Sequence, residues 1–425
     1  MGIRIALAVS RVGRSALSLI AFACASAAGL VHAASPPEPS RQRFCAGLSA
    51  SFEEARDGRG AVFLVSYRPG PNEGEAPFPL RGSAFVYDNA LALVALVACG
   101  DVPKAVRIGE ALLGAVTDDR TFQDGRLRNA YRAGPSAPGQ KALLPGWWDA
   151  AAGHWAEDAY QDGTSTGNVA WAALGLLTLH DATGDPRYLA AAGRLLGWIE
   201  TNAGDPSGIG YTGGLDGFDP SQTKLTWAST EHNVDVAAAA EWFVRVSGDQ
   251  AFGAMARSAR AFVTRAFLAQ EGCFVLGTTP EGASADPSHL ALDTQLWPLL
   301  LPGALSAWSA ALACAEQRFA VPGGFDFDND RDGLWVEGTA QAALVYGARG
   351  ERARSTQLLE GLLQDMSPSG WLYATRDDRI TTGLKIGPHS VSADFFYYRR
   401  PHLGATAWAA IAAMGWNPFT GTRGG

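Results

Sequence analysis

The chain has 425 residues, of which 47% are hydrophobic and 18% charged, and its formal net charge is −8. This acidic balance argues against nucleic acid or an anionic membrane surface as a partner. The chain is longer than an average domain, yet no linker, low-complexity tract or charge block divides it. We therefore expect a single catalytic domain over residues 34–425.

Residues 1–33 have the pattern of a secretory signal peptide. Arg4, Arg11 and Arg14 precede an apolar run, and a small-residue cleavage site ends at Ala33. No later segment is long and apolar enough to span a bilayer. The sequence predicts an exported protein, periplasmic or extracellular, that does not insert into the membrane after cleavage.

Four cysteines follow the signal peptide: Cys45, Cys99, Cys273 and Cys314. An oxidising compartment permits disulfides, and four cysteines allow three pairings that the sequence does not distinguish. Buried free thiols are the alternative. None of the four has the spacing of a zinc site, so we expect no zinc.

A pair of helices recurs along the chain. Each pair has a helix rich in small apolar residues, a short break such as Gly100-Asp101, and a more amphipathic helix that carries Arg and Lys. The predicted pairs in chain order are 91–100 with 102–116, 169–182 with 186–200, 234–246 with 250–267, 292–302 (interrupted by two prolines) with 304–319, 340–350 with 351–365, and 402–416 with an N-terminal helix at 44–56.

These six pairs predict an all-α (α/α)6 toroid of six inner and six outer helices. Helices that are apolar on most faces can be surrounded, whereas helices with one charged stripe suit an outer layer. An open solenoid is the all-α alternative, but the unequal spacing of the pairs and their long aromatic insertions favour a closed ring. In such a ring all inner helices run the same way, so the long loops that precede them open on one rim.

The loops at this rim hold the residues that could carry chemistry. Aromatic faces beside carboxylates suit a sugar, because the CH face of a pyranose packs on an indole and its hydroxyls need acceptors. Glycosidic cleavage further needs two carboxyl groups that flank one bond. The substrate-binding candidates are Tyr87, Trp147, Trp148, Glu157, Asp158, Trp227, His232, Asn233, Trp335 and His402.

Three carboxyl groups at the starts of inner helices are the catalytic candidates. Glu231 and Glu337 each follow a tryptophan of the rim, and Asp88 opens the first inner helix. Each has a structural alternative, because the helix dipole stabilises a carboxylate at a helix start by about 0.3–1 kcal/mol and Asp is a preferred N-cap. Asp293, which opens the fourth inner helix, has the same two interpretations.

The sixfold rhythm and several local segments resemble the six-hairpin glycosidase superfamily. The segments are LPGWWDA, HWAEDAYQDGTSTGNVAW, TWASTEHNVD, LWVEGTAQAA and HLGATAWAAIAAMGWNPF, and the resemblance covers nearly all of the mature chain. It implies a cleft at the N-terminal rim of the inner helices, with acid/base carboxyl groups supplied by the loops. It matches no catalytic residue individually. We therefore expect an exported glycoside hydrolase that cleaves a polysaccharide or oligosaccharide.

Three other functions remain open. A polysaccharide lyase on the same fold would use the Tyr, Arg and His side chains of residues 397–402. A sugar epimerase would transfer protons through His232 and His402, which belong to opposite helices of the predicted ring. The third alternative is a non-catalytic glycan-binding protein of an exopolysaccharide system.

The sequence predicts no cofactor, because it has no Gly-rich phosphate loop at a strand-to-helix junction. One segment matches the first half of a calcium loop through Asp328, Asp330 and Asp332, but the terminal bidentate Glu is missing. A calcium site there and a solvated acidic loop are both compatible with this pattern.

Overall fold

The computed structural model describes residues 38–52, 60–70, 76–137 and 139–423. The predicted signal peptide lies outside these residues. Ser35–Gly425 forms one compact unit. The α-helices of the described residues are α1 (Glu38–Ala50), α2 (Val86–Ala98), α3 (Val102–Thr117), α4 (Ala159–Asp162), α5 (Thr166–Thr183), α6 (Pro186–Ala203), α7 (Thr230–Ser247), α8 (Ala251–Ala266), α9 (Leu292–Leu296), α10 (Ala310–Phe319), α11 (Val336–Ala348), α12 (Arg352–Leu362) and α13 (Leu403–Ala413).

Six helices form a closed inner ring in the order α2, α5, α7, α9, α11 and α13, because each packs on the next and α13 packs back on α2. Nearly every residue of α2, α5, α11 and α13 is buried. Ala and Gly allow these helices to be surrounded on all sides. The fourth member is short: α9 continues into the 3-10 helix Trp297–Leu300, where Pro298 removes a backbone donor.

The outer helices cover the ring. α3 packs on α2 and α5, α6 on α5 and α7, α8 on α7, α10 on α9, and α12 on α11 and α13. α1 closes the outer layer by packing on α13 and α2. The six inner and six outer helices confirm the predicted (α/α)6 toroid.

The breaks between inner and outer helices follow the predicted capping chemistry. Gly184 and Gly248 end α5 and α7 in the left-handed conformation, with φ of 71° and 74°. Asp185 caps α6 by accepting a hydrogen bond from the Arg187 amide. Because these breaks are short, the longer connections all lead into the inner helices and lie at one rim.

Short strands, which the sequence did not reveal, organise the long loops. They are β1 (Ala61–Phe63), β2 (Ser83–Phe85), β3 (Ala130–Arg132), β4 (Gly134–Ser136), β5 (Trp147–Asp149), β6 (His154–Ala156), β7 (Thr164–Ser165), β8 (Gly214–Asp216), β9 (Thr223–Leu225), β10 (Phe267–Leu268), β11 (Cys273–Phe274), β12 (Ala320–Val321), β13 (Gly324–Phe325), β14 (Arg379–Thr381), β15 (Phe396–Tyr398), β16 (Trp416–Asn417) and β17 (Thr422–Arg423). All pairs are antiparallel: β1 with β4, β2 with β3, β5 with β6, β7 with β8, β8 with β9, β10 with β11, β12 with β13, β14 with β15, and β16 with β17. Strands of two or three residues are too short to produce a recognisable alternation of polar and apolar residues.

Two disulfides select one of the three pairings that the sequence left open. Cys45 of α1 bonds Cys99 at the end of α2, and Cys273 of β11 bonds Cys314 of α10. No helix in the described part of the chain combines the length and apolarity that a bilayer crossing requires.

An aromatic plug fills the centre of the ring. Trp171 of α5, Trp297 after α9 and Trp408 of α13 meet with ring centroids 5.4–5.8 Å apart. Phe419, from the C-terminal segment, packs on Trp171 and Trp297. Tyr87 contacts Trp171 from the rim side at 5.4 Å. The plug therefore forms the floor of whatever space the rim encloses.

Candidate active site

A cavity of about 820 Å³ opens at the rim where the inner helices begin. All six inner helices contribute a polar side chain from their first turn or cap. These residues are Asp88, Asn168, Glu231, Asp293, Glu337 and His402. The volume falls in the range of small-molecule sites.

In α2, α5, α7, α9 and α11 the second residue lines this cavity, and in the first four of these helices the third residue does too, because the helices run alike and enter the ring with the same phase. They include Tyr87 and Asp88 of α2, Glu231 and His232 of α7, and Glu337 of α11. The catalytic candidates Asp88, Glu231 and Glu337 therefore line one cavity. None of them is an N-cap: the caps of α2, α7 and α11 are Phe85, Ser229 and Trp335.

In the inner helices other than α5, the fourth residue points instead at the preceding loop and holds it, an arrangement that we call the loop clamp. Asn233 accepts a hydrogen bond from the Tyr211 amide at 2.8 Å and donates to the carbonyls of Tyr211 and Ser229. The equivalent residues that accept from a loop amide are Asn89, Gln295, Thr339 and Thr406. Asn233 is fully buried by these contacts and, unlike the sequence prediction, is not among the described residues that line the cavity.

Glu337 lies in a hydrogen-bonded cluster on one side of the cavity. The Tyr87 hydroxyl donates to Glu337 Oε1 at 2.6 Å and itself accepts from Trp408 Nε1 at 2.9 Å. Glu337 Oε2 has no hydrogen-bond partner among the described residues and lies 3.7 Å from His402 Nδ1. Burial raises the pKa of Glu337 to about 7. The carboxyl group therefore changes charge near neutral pH.

His402 lies between Glu337 and Asp88. Its Nε2 lies 3.4 Å from Asp88 Oδ2, while its Nδ1 accepts a hydrogen bond from the Ala405 amide at 3.3 Å. This amide contact assigns the proton of the neutral ring to Nε2, which faces Asp88. Burial lowers the pKa of His402, but the two carboxyl groups outweigh it and the net shift is upward. Tyr67 stacks on the imidazole, with ring centroids 4.4 Å apart.

Gly404 allows this cluster to form. A Cβ atom at that position would lie 2.7 Å from Asp88 Oδ1 and 2.9 Å from both Glu337 Oε2 and His402 Cε1. Such distances are too short for any side chain. The three polar groups converge only because the second residue of α13 has no side chain.

Glu231 and Asp293 form a second acidic group on the neighbouring helices. Glu231 keeps part of its surface open to the cavity but is otherwise surrounded by protein. Burial raises its pKa well above the ordinary value, and Asp293 and Glu337 raise it further by charge repulsion. Burial also raises the pKa of Asp293 to about 7. Burial and charge repulsion therefore favour the protonated form of the carboxyl groups on this side of the cavity.

His232 provides a neutral imidazole at the same level. Burial lowers its pKa to about 4, its Nε2 lies 3.5 Å from the Ser165 hydroxyl, and its Nδ1 has no hydrogen-bond partner among the described residues. The Trp227 ring lies 5.6 Å away. Gly167 leaves room for the imidazole, since a Cβ there would come within 2.5 Å of it.

Of the remaining predicted residues, Asp158, Trp227 and Trp335 line the cavity. Trp147, Trp148 and Glu157 are not among the described residues that line it. Glu157 is held by Arg120 in a two-pronged ion pair at 2.7 and 2.9 Å, and both tryptophans belong to the β5–β6 hairpin.

The sequence missed several residues that the cavity brings in. Tyr67 precedes no inner helix and reaches the site through a β-bridge to His402, so no local pattern identifies it. Asn168 lies in the first turn of α5. The others, among them Tyr160, Asp216, Lys224, Lys385 and Asp394, lie in the long connections between helices, where many polar residues compete.

The calcium prediction is corrected in one member. Asp326, Asp328 and Asp330 each place a carboxylate oxygen within 4.8 Å of the others and could hold a metal ion. Asp332 is not part of this group. Its carboxylate accepts a hydrogen bond from the Thr381 amide at 3.0 Å instead. Asp326, which the calcium-loop pattern did not include, takes its place.

No family model matches the chain, and no curated protein matches its sequence. Solved structures do match. A glycosidase variant with bound glucose superposes with a TM-score of 0.58 at 14% identity, over 89% of this chain and 99% of that one. A GH76 alpha-mannanase from Bacteroides thetaiotaomicron gives 0.56 at 12% identity, over 88% and 95% of the two chains. The chain has the six-hairpin glycosidase fold.

Enzymes of a second class share this fold. A cellobiose 2-epimerase from Bacillus thermoamylovorans B4167 superposes with a TM-score of 0.58 at 13% identity, over 88% of this chain and 99% of that one. The six-hairpin glycosidase fold therefore does not by itself distinguish hydrolysis from epimerisation.

Proposed function

We propose that the protein is an exported glycoside hydrolase that uses Glu231 as general acid and Glu337 as general base or nucleophile. The observation that carries the proposal is that both carboxyl groups line one cavity in different electrostatic environments. Burial and charge repulsion from Asp293 and Glu337 raise the pKa of Glu231, whereas at Glu337 the effect of burial is partly offset by His402 and by the Tyr87 hydrogen bond. Acid/base cleavage of a glycoside requires two such carboxyl groups, one in surroundings that favour its neutral form and one whose carboxylate is stabilised.

In the proposed mechanism Glu231 remains protonated and gives its proton to the glycosidic oxygen. Glu337, ionised above pH 7, attacks the anomeric carbon or takes a proton from the attacking water. Tyr87 orients Glu337 through the hydrogen bond to Oε1, which leaves Oε2 free for the reaction. His402 lies between the two carboxyl groups, 3.4 Å from Asp88 Oδ2 and 3.7 Å from Glu337 Oε2, so Asp88 acts through the imidazole as a positioning residue.

The charges of the cavity favour a neutral sugar over a uronate. Its carboxyl groups include those of Asp158, Asp216 and Asp394 besides the cluster at the helix starts, whereas two lysines, Lys224 and Lys385, line it within the described chain. A lyase needs cations to neutralise the uronate. No arginine of the described residues lines the cavity, and the Arg399 guanidinium lies 4.1 Å from the Tyr373 ring instead.

The test is product analysis with a panel of neutral polysaccharides and oligosaccharides, using wild type, Glu231→Gln and Glu337→Gln. We expect reducing ends from wild type and a decrease of about 10²–10⁴-fold in each variant, the usual contribution of an acid or base. Glu241→Gln is the matched control, because Glu241 also lies on α7 but pairs with Arg260 at 2.7 Å. Unsaturated products that absorb ultraviolet light would indicate a lyase.

An aryl glycoside with an acidic leaving group separates the two roles. Such a substrate departs without protonation, so Glu231→Gln should lose much less activity on it than on a sugar leaving group. Glu337→Gln should be impaired on both substrates. Equal losses of Glu231→Gln on both would contradict the assignment of Glu231 as the acid.

Epimerisation is the second candidate, because His232 and His402 line the cavity from α7 and α13, which are opposite in the ring. Neutral His232 could accept a proton from the carbon beside a sugar carbonyl, and His402 could return one. Incubation of a reducing disaccharide in D2O distinguishes the reactions. Deuterium at C2 without loss of the disaccharide would favour the epimerase, and new reducing ends without deuterium the hydrolase.

Export is part of the proposal and is supported by the two disulfides, which persist in oxidising compartments. Expression of the full chain followed by fractionation and N-terminal sequencing tests it. We expect a mature protein that begins near residue 34 outside the cytoplasm. A cytoplasmic protein that retains Met1 would contradict export.

A further inference from the structure

The β5–β6 hairpin exposes two large aromatic side chains outside the cavity. Trp148 is 61% exposed and Trp155 is 46% exposed. They are direct cross-strand partners, so both indoles lie on one face of the hairpin. Exposed pairs of large aromatic side chains are uncommon on a protein surface, and they are typical of binding sites.

The hairpin is connected to the mouth of the cavity through a second aromatic pair. Trp147, on the other face of the hairpin, stacks on Phe78 with the rings 5.9 Å apart and 15° from parallel. Phe78 is 49% exposed and begins the 3-10 helix Phe78–Leu80. Its neighbours Pro77 and Pro79 line the cavity. Phe78, Trp147, Trp148 and Trp155 are here called the aromatic platform: the first two join the hairpin to the segment that lines the cavity, and the last two are the rings that the hairpin exposes on its other face.

The aromatic platform is held in place by its surroundings. The guanidinium of Arg132 lies 5.2 Å from the centre of the Trp155 ring, and that of Arg81 lies 4.1 Å from the Phe78 ring. Gly146 accommodates the Trp155 indole, because a Cβ there would lie 2.4 Å from its Nε1. Rings fixed before binding lose little conformational entropy when a ligand stacks on them.

We propose that the aromatic platform binds the part of a neutral glycan chain that projects from the cavity, so that the substrate is a polysaccharide or long oligosaccharide. This inference rests on the proposed function for its substrate class. Flat indoles match the CH faces of pyranoses, which pack on aromatic rings. Continuity with the cavity favours a chain that occupies both sites over an unrelated partner.

The experiment separates binding from turnover. Affinity electrophoresis of the full mature chain, in gels that contain mannan, mixed-linkage β-glucan, xylan or dextran, measures retardation without requiring cleavage. We expect at least one polymer to retard wild type and Glu337→Gln alike. We expect the double variant Trp148→Ala/Trp155→Ala to be retarded less, with an apparent Kd about tenfold higher than that of wild type. This change corresponds to about 1.4 kcal/mol.

Two variants make the result specific. Phe218→Ala removes another aromatic side chain, 50% exposed but outside the aromatic platform, and should bind like wild type. Trp148→Phe keeps a flat ring and should retain part of the affinity. If the chain proves to be a hydrolase, the double variant should raise KM for the polymer and leave KM for an aryl monosaccharide glycoside unchanged.

Unchanged retardation in the double variant would overturn the proposal, as would a wild-type chain that no polymer of the panel retards. Retardation that depends on Trp148 and Trp155 in a chain without hydrolytic activity would support the platform and refute the proposed reaction. The two proposals can therefore fail separately.

Discussion

At the scale of single residues, the hydrogen bond from Tyr87 to Glu337 sets the pH dependence of the proposed base. Burial raises the pKa of Glu337 to about 7, and the Tyr87 hydrogen bond partly offsets this by stabilising the carboxylate. Tyr87→Phe removes that bond. The acidic limb of kcat/KM should move to higher pH by roughly 0.5–1 unit, as expected for a bond of about 0.5–1.5 kcal/mol.

The measurement is a pH profile of kcat/KM for wild type and Tyr87→Phe. Tyr188→Phe is the matched control, because Tyr188 also donates to a glutamate, Glu110, at 2.9 Å but lies on outer helix α6. Its profile should coincide with wild type. An acidic limb that stays in place in Tyr87→Phe would exclude Glu337 as the group that titrates there.

Asp293 should make the fold less stable as pH rises. Its folded-state pKa is raised to about 7, so the folded protein holds a proton that the unfolded chain releases near pH 3.9. The stabilisation is complete below pH 3.9 and is lost progressively up to about pH 7. Asp293→Asn should therefore gain on the order of 2–4 kcal/mol over wild type between pH 4 and pH 8.

Thermal unfolding at pH 4, 6 and 8 tests this prediction for Asp293. The two proteins should unfold at similar temperatures at pH 4, and the variant at a higher temperature at pH 8. A difference between them that does not change with pH would show that Asp293 is ionised throughout. Such a gain fits the general observation that active-site groups are held at the expense of stability.

At the scale of secondary-structure elements, the loop clamp separates residues that fold the rim from residues that face the substrate. Asn233→Ala leaves one loop amide and two carbonyls without a side-chain partner in a buried place. It should lower the free energy of unfolding by about 2–4 kcal/mol and change kcat by less than roughly threefold, under 1 kcal/mol.

Urea unfolding and kinetics below the unfolding transition measure both effects. Asn202→Ala is the control, because Asn202 makes its hydrogen bond to the Trp198 carbonyl on outer helix α6 and should cost far less. A stable Asn233→Ala protein with greatly reduced kcat would mean that Asn233 contacts the substrate after all.

In contrast to Asn233→Ala, a substitution of Gly404 should reduce kcat. Gly404→Ala places a methyl group within 2.7–2.9 Å of Asp88, Glu337 and His402, which must move apart at a cost of about 1–3 kcal/mol. We expect kcat to fall about 10–100-fold, the equivalent cost in the transition state. Gly197→Ala, in α6 with nothing within 4 Å of the new Cβ, should keep full activity and stabilise its helix by up to about 1 kcal/mol.

At the scale of the whole molecule, the sequence predicted the toroid because its signals are local and repeated. Glycines such as Gly184 and Gly248 separate the two helices of a pair. Mostly apolar helices alternate with amphipathic ones along the chain, even though the loops between them differ in length. The direction in which a side chain points could not be predicted. Glu231 and Asn233 are two residues apart, about 200° around a helix, and only the closed ring shows which of them faces inward.

The Cys45–Cys99 disulfide fastens the toroid where its two ends meet. α1 packs on α13 and α2, so the disulfide ties the N-terminal outer helix to the closing contact between the first and last inner helices. Replacing both cysteines with Ser should lower stability by about 2–5 kcal/mol. The matched pair Cys273→Ser/Cys314→Ser opens a shorter loop, with a sequence separation of 41 against 54.

Differential scanning calorimetry of the two double variants compares these disulfides. Loss of Cys45–Cys99 should lower the midpoint of unfolding and increase proteolysis near residue 50, because α1 is then held only by noncovalent contacts, its packing and hydrogen bonds such as that from Ser49 to Asp101. Loss of the other disulfide should leave that cleavage rate unchanged. Equal cleavage near residue 50 in both variants would show that α1 needs no covalent attachment.

The aromatic plug restricts how any carbohydrate that the cavity accepts can enter and leave it. Trp171, Trp297, Trp408 and Phe419 close the ring opposite the rim, so within the described residues the toroid is a cup with one opening. A carbohydrate chain therefore cannot pass through the centre of the toroid. A bound carbohydrate chain lies across the opening of the cavity or enters it by one end. Products leave through the same opening, so their release from it is a step of every turnover.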